Sequence, residues 1–479
     1  MSNPATISGA PPISVKKLLP WLVAVAFFME SLDTTILNTA VPVISRALGV
    51  TVLSMKSVLA SYTLSLAVFI PISGWVADRF GTRRVFASAI GLFTLGSFLC
   101  GLVSNIHLLV ACRILQGCGG AMMVPVGRLT LVRTFPKSEL VRAMSFVAIP
   151  SLIGPMLGPF TGGLIVAYLH WRVIFFLNIP IGIAGLVLVY LHLPDYRAAA
   201  SQPLDVVGLI LFGAGIALLS YVLEIFGEHR LGPGEVVGLL AVSLTLICGY
   251  GIHATRVSRP LLQLGLFRIR TFASAVSGGF VTRLGIGGVP FLLPLLYQIG
   301  LGLTPVESGL LITPQALAAM TTKIFMPKIL DRFGFRTVLI SNTLALGLLL
   351  MAFATIRQNT PIWMIVIQAF CYGALTSTQY TSMNTLVYAD VPDKNASNAS
   401  SIASTLQQLS ISFGVAVAGL TTVFFIPDRL KADPAAMVSG LHEAFLALGA
   451  FTLISTVVFF RLRSGDGASE TRQKDIHLG

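Results

Sequence analysis

Six ionisable residues interrupt stretches of this chain that are otherwise apolar: Glu30, Asp33, Arg113, Glu224, Arg283 and Lys323. In a helix crossing a bilayer each would cost at least about 2.5–3.5 kcal/mol at mid-depth if unpaired, so each needs a partner or a polar interior to face. Glu30 and Asp33 are three residues apart and share one helical face. Two carboxylates that close compete for one charge, which is the chemistry of taking up and giving back a proton. Arg113 opens a stripe with Gln116, Gly117 and Gly120 at spacings of three, four and seven, setting a cation and an amide beside glycines that admit a close neighbour. A guanidinium beside a protonatable acid can exchange partners when substrate or proton arrives. The plainer reading is a fixed Asp33–Arg113 pair that ties helices together. Glu30 is either a second proton site or a residue of the cavity lip, and Glu224, near the end of its stretch, snorkels to the interface on the simplest account.

A second group lies in the C-terminal half. Arg283 sits among Gly278, Gly279, Gly285, Gly287, Gly288, Pro290 and Pro294, followed by Tyr297 and Gln298, a segment expected to bend and to line a cavity. Lys323 comes from the next helix, as a second cation of the cavity or as a snorkelling residue. Thr376, Ser377, Thr378, Gln379, Thr381, Ser382 and Asn384 give a later helix more polarity than lipid contact explains. The expected substrate cavity therefore collects Gln116, Arg283, Tyr297, Gln298, Lys323, Gln379 and Asn384, and its two cations leave room for an anionic or zwitterionic substrate.

The elements that must carry these residues are membrane helices. Of 479 residues 55% are hydrophobic and 11% charged, against about 25% charged in a soluble protein, so a water-soluble fold is excluded. The net charge of +13 has no basic helix or aromatic-basic face behind it, and nucleic-acid binding is set aside. Cys100, Cys112, Cys118, Cys248 and Cys371 lie in apolar stretches without metal-like spacing, and no metal site is expected. The run after Lys16 and Lys17 continues through Glu30 and Asp33 with no cleavage pattern, so it is expected to be the first span and not a signal peptide.

Apolar windows of about 20 residues fall at 18–41, 55–77, 84–104, 106–129, 142–168, 172–193, 204–226, 234–255, 271–297, 306–327, 337–356, 361–388, 399–426 and 441–461, about fourteen helices. With both termini cytoplasmic, 22 of the 32 basic residues fall on the inside and seven outside, which supports an even number of spans. GWVADRFGTR at 74–83 matches PKILDRFGFR at 327–336 at an offset of 253. Each copy follows the second helix of its half, and two six-helix halves leave about 60 residues for an inserted pair. The expected fold is all-α and integral to the membrane: a six-helix bundle at 1–195, a two-helix insertion at 196–260 and a second six-helix bundle at 261–479. Parallel repeats of this kind build transporters with a site between the halves.

In the first repeat copy Gly81 permits a tight turn and Asp78 ends a helix, with Arg79, Arg83 and Arg84 at the surface. The basic loop sets topology and is expected to double as an ion-pair latch that breaks when the halves rock. With Gly74, and with Asp331, Arg332, Gly334 and Arg336 of the second copy, it forms the expected gate. The fifth helix carries Gly154, Gly158 and Gly162 at intervals of four, interleaved with Pro155 and Pro159 and followed by Gly163, a stripe for close approach on a bent axis. No GK dipeptide occurs, so there is no P-loop and no ATP engine in this chain.

Taken in order, four motifs resemble the major facilitator superfamily, and within it the fourteen-helix drug:proton antiporter family. GWVADRFGTRR resembles the superfamily's loop after the second helix, and LLVACRILQGCGG at 108–120 the fourth-helix proton-coupling motif. GPMLGPFTGG at 154–163 resembles the fifth-helix antiporter motif, and LDTTILNTAVP at 32–42 a first-helix motif of the fourteen-helix branch. HWRVIFFLNIPIG at 170–182 is similar to the start of the family's sixth helix. The resemblance implies a major facilitator fold of 14 helices and export of small molecules or drugs across the bacterial inner membrane in exchange for protons. It also implies a proton-coupling role for Arg113, Gln116 and Gly117. No cofactor is expected, because the proton gradient supplies the energy, and the expected partners are lipid, protons and a small-molecule substrate around a monomer. Glu30, Arg283 and Lys323 stand outside the family motifs, which keeps export of organic anions such as carboxylates or their metal chelates as the alternative. A non-transporting receptor is the remote one.

Overall fold

The computed structural model describes residues 13–197, 203–225, 232–392, 395–425, 434–463 and 465–467. Among them every regular element is helical, and 11 helices are long and apolar enough to cross a membrane. The longest of these, Pro305–Phe353, is two spans that meet where Gly334 leaves helical geometry at φ 72°. Lys137–Tyr168, interrupted by Pro150, Pro155 and Pro159, and the polar Ile362–Leu386 have membrane length as well. The described residues thus hold fourteen spans. The first six are Leu18–Ala47, Val52–Phe80, Thr82–Leu102, Ile106–Thr134, Lys137–Tyr168 and Val173–His192. Val206–Ile225 and Pro233–Arg256 are the seventh and eighth. The last six are Arg270–Gly300, 305–333, 335–353, Ile362–Leu386, Ala396–Phe424 and Pro434–Phe459. The side chain of Glu224 and both chain ends lie outside the described residues.

Local chemistry sets the breaks. Gly81 turns between the second and third spans at φ 94°, a conformation that a side chain would strain. The tenth span starts in a reciprocal cap, in which the Glu307 carboxylate accepts from the Thr304 amide at 2.8 Å and Thr304 Oγ1 accepts from the Glu307 amide at 3.3 Å. The ninth span bends as its glycines predict: helix stops at Ile286, resumes at Val289 and ends in a π turn at Leu296–Gly300.

Small residues bring the helices into backbone contact. A Cβ on Gly154, Gly158 or Gly162 would overlap Ser31 Oγ, Thr35 Oγ1 or the Ile36 carbonyl, so the fifth-helix stripe is the face that receives the first span. Thr39 Oγ1 donates across the same face to the Pro159 carbonyl at 2.9 Å. Gly158→Val should therefore destabilise the folded protein by about 1–3 kcal/mol through overpacking, read as a lower melting temperature in detergent. An unchanged transition would mean that this contact is dispensable.

Two seams join the halves. In one, the fifth and tenth spans meet where Gly163 lies against the backbone of Pro305 and Gly309 against that of Pro159 and Phe160. In the other, the second and thirteenth spans meet: Ser412 Oγ donates to the Ala60 carbonyl at 3.1 Å, and Gly419 lies against the Lys56 stem. The inserted pair packs on this second seam, touching the second span at Val68 and setting Phe212 against its own Tyr250 in a tilted ring contact at 5.3 Å between centroids. Asp205 fastens its start by accepting from His253 Nε2 at 2.7 Å and from the amides of Gly208 and Leu261 at 2.8 and 3.0 Å. Burial opposes ionisation of Asp205, but these donors outweigh it and hold the carboxyl below its ordinary value. A depressed acid stabilises the fold above its unfolded value and loses that contribution as pH falls through the folded one. Melting temperature should fall below about pH 4, and Asp205→Asn should flatten that part of the profile; a superimposable profile would rule the clip out.

Candidate functional site

A cavity of about 850 Å³ opens at the end of the bundle that carries the basic loops. Its walls differ. The second and fourth spans give Ile70, Trp75, Val124, Pro125, Leu129 and Val132. The thirteenth gives Ser397, Ser400, Ser401, Ser404, Gln407 and Gln408, small hydroxyls and amides on one helical face. Glu30 and Arg128 stand at its inner end, and a side pocket of about 240 Å³ shares both with Thr34 and Pro155. Toward the opposite end the halves are closed by the two seams and by Gln298, whose Nε2 donates to the Thr39 carbonyl at 2.9 Å.

Asp33 lies beyond this cavity and is 1% exposed. Arg113 Nη1 donates to its Oδ2 at 2.6 Å, while Gln116 Nε2 and Asn178 Nδ2 donate to Oδ1 at 2.9 and 3.0 Å. Arg113 also donates to Gln116 Oε1 at 2.8 Å and lies over the Tyr62 ring, 4.3 Å from its centroid. Asn178 reaches on to Ser97 Oγ at 3.0 Å. This carboxylate is satisfied at both oxygens by a cation and two amides, the arrangement that lets a buried charge persist. Glu30 is placed differently: one oxygen is enclosed without a hydrogen bond, and the residue lines the cavity.

Arg283 is 5% exposed, and among the described residues no carboxylate lies within ion-pair distance. Its Nη2 makes long contacts to Asn384 Oδ1 at 3.2 Å and Gln407 Oε1 at 3.4 Å, its Cζ stands 4.8 Å from the Tyr380 ring centroid, and its Nε has no partner. Gln407 connects it to the cavity wall.

Several residues expected in the cavity stand elsewhere. Gln379 is fully buried, accepting from Asn342 at 2.7 Å and donating to Thr343 at 2.8 Å, so it ties the twelfth span to the eleventh. Tyr297 is enclosed in the core near the closed end, and Gln298 belongs to that closure. Gln116 faces Asp33. Lys323 is exposed but outside the cavity lining. Of the gate residues, Gly74 and Asp78 line the cavity, and Asp78 pairs with Arg133 of its own half at 2.6 Å. The pair expected as a latch thus lies within the first bundle in this open form, and Asp331 makes no such pair among the described residues. Arg79, Arg84, Arg332 and Arg336 are exposed, while the Arg83 amide donates to Asp195 at 3.2 Å. Asn178, Ser97, Tyr62, Arg128 and the serine face of the thirteenth span were not singled out from the sequence. Asn178 was legible as an amide inside an apolar run; Tyr62 carries no such signal.

Membrane-length helices in two halves, closed at one end around a cavity open at the other, define a transporter. The sequence matches the Major Facilitator Superfamily over residues 23–415 and again over 275–478, and the chain belongs to that superfamily. It is 39% identical over 459 residues, 96% of both chains, to a protein of Serratia proteamaculans provisionally named multidrug resistance protein MdtD. It is 40% identical to the protein of that name in Escherichia coli K12, over 92% of this chain and 94% of the relative. In fold it is similar to a D-xylose–proton symporter, with a TM-score of 0.68 at 14% identity over 95% and 99% of the two chains. A POT family transporter, PepTSo, gives 0.69 at 14% over 95% and 98%.

Proposed function

We propose that this chain is a proton-driven exporter of small amphipathic molecules, a drug antiporter of the bacterial inner membrane with its basic end and both termini in the cytoplasm. The observation that carries this reading is the sealed Asp33–Arg113 pair next to a cavity open on the basic face. A proton on Asp33 dissolves the pair, and a substrate in the cavity competes for the same conformational equilibrium, which is what exchange requires. The half-apolar, half-hydroxyl walls suit an amphipathic substrate, with Glu30 as the acid within its reach. Relatives named for multidrug resistance support the direction of transport. No cofactor enters this scheme, and one chain suffices for it.

A second reading is favoured by Arg283. An enclosed guanidinium with no carboxylate within ion-pair distance among the described residues suits an anion, and it makes organic anions, carboxylates or their chelates, the alternative cargo. The test uses liposomes holding the protein and an acid interior, challenged in parallel with lipophilic cations and with di- and tricarboxylates. Proton release driven by cations supports drug antiport, and release driven by carboxylates supports the second reading. Silence toward both would overturn exchange with either class.

A further inference from the structure

The cavity stops at Glu30 on the first span and Gly120 on the fourth, and Asp33 lies about one helical turn further in. Between them stands Tyr62 of the second span, fully enclosed, with Glu30, Thr34, Asp33 and Arg113 around it. The Arg113 guanidinium lies over its ring, Phe93 meets the ring edge-on at 6.4 Å between centroids, and its hydroxyl end abuts Gly120, where a Cβ would come within 2.8 Å of the oxygen. The hydroxyl is wholly buried beside Thr34, whose Oγ1 donates to the Glu30 carbonyl at 2.8 Å and keeps a lone pair free to accept from it. A buried hydroxyl with a single neighbouring acceptor is held less firmly than one fully bonded. A swing of the ring toward the cavity would give the hydroxyl water as a partner and uncover Arg113 and Asp33.

We propose that Tyr62 is the gate between the cavity and the Asp33 site. In place, the ring keeps water from the carboxylate; displaced, it lets protons pass between Asp33 and the basic-end solution. Tyr62 acts by position and carries no proton itself, since its hydroxyl touches neither carboxylate. Gly120 sets the resting position, because only a residue without a side chain leaves room for the hydroxyl there. The inference rests on the antiport reading in taking Asp33 as the proton site.

The test is a proton-leak measurement on the full chain in liposomes with a trapped pH dye, a potassium–valinomycin clamp and no substrate. Tyr62→Ala should raise the leak about tenfold, equivalent to a barrier lower by about 1.4 kcal/mol. Tyr62→Phe, which keeps the ring, should stay as tight as the parent. Gly120→Ala, which pushes on the hydroxyl from the fourth span, should leak as well, and it carries the test if Tyr62→Ala does not fold. Combining Tyr62→Ala, or Gly120→Ala in its place, with Asp33→Asn should restore tightness. A tight Tyr62→Ala protein, or a leak that survives Asp33→Asn, overturns the gate. If the parent shows no substrate-driven proton release while the leak still depends on Asp33, the antiport reading fails and the gate stands.

Discussion

Asp33→Asn is expected to abolish substrate-driven proton movement while leaving a folded protein that still binds its substrate. The variant removes the only carboxylate within ion-pair distance of Arg113 among the described residues, yet keeps an oxygen that can accept from Arg113 or Gln116 at the same site. Asp33→Ala is the harsher change: it strands an enclosed guanidinium, an effect of about 3–5 kcal/mol, and is expected to fail as a protein before it can be assayed. The measurements are dye-reported proton release on substrate addition and substrate binding by calorimetry at two pH values. In the parent, binding should release protons and weaken as pH falls. In Asp33→Asn both dependences should vanish with affinity retained. Intact proton release in the variant would move the coupling role to Glu30.

Arg283→Met is expected to separate the two cargo readings, and to do so with a gain in stability. The parent side chain holds a charge in an enclosed site with long contacts to two amides and, among the described residues, no carboxylate within ion-pair distance. Replacing enclosed ionic groups by apolar volume is commonly neutral or stabilising by about 1–4 kcal/mol. Export of carboxylates should therefore be lost while export of lipophilic cations persists and the melting temperature rises. Loss of both activities with a lower melting temperature would make Arg283 a structural residue.

The parts of this protein that were legible in its sequence are those where chemistry and membrane conflict. Asp33 and Arg113 announced a pairing because neither is affordable alone in hydrocarbon, and they stand 2.6 Å apart. The fifth-helix glycines announced a close neighbour by their interval, and the first span fills that face. Neutral polar residues were harder to place. Gln379, Tyr297 and Asn178 are all tolerable inside a bundle, and spacing along one helix does not say which neighbour a face will meet. Gln379 thus locks two helices together, while Asn178 holds the Asp33 carboxylate. Tyr62 was invisible because its role depends on packing from two other helices. The fourteen spans were legible from apolar length, although the tenth and eleventh run on as one helix broken only at Gly334.

Among the described residues the inserted helix pair packs on one of the two seams between the halves, the one formed by the second and thirteenth spans, and not on the seam of the fifth and tenth. A greasy molecule dissolved in the surrounding leaflet has two lateral routes into a cavity of a two-bundle protein, one at each seam. Here one of them is roofed. Lipid-borne cargo would then reach the cavity from a single side, between the fifth and tenth spans on the basic-end side of their contacts at Gly163 and Gly309, and the protein would have a front and a back in the plane of the membrane.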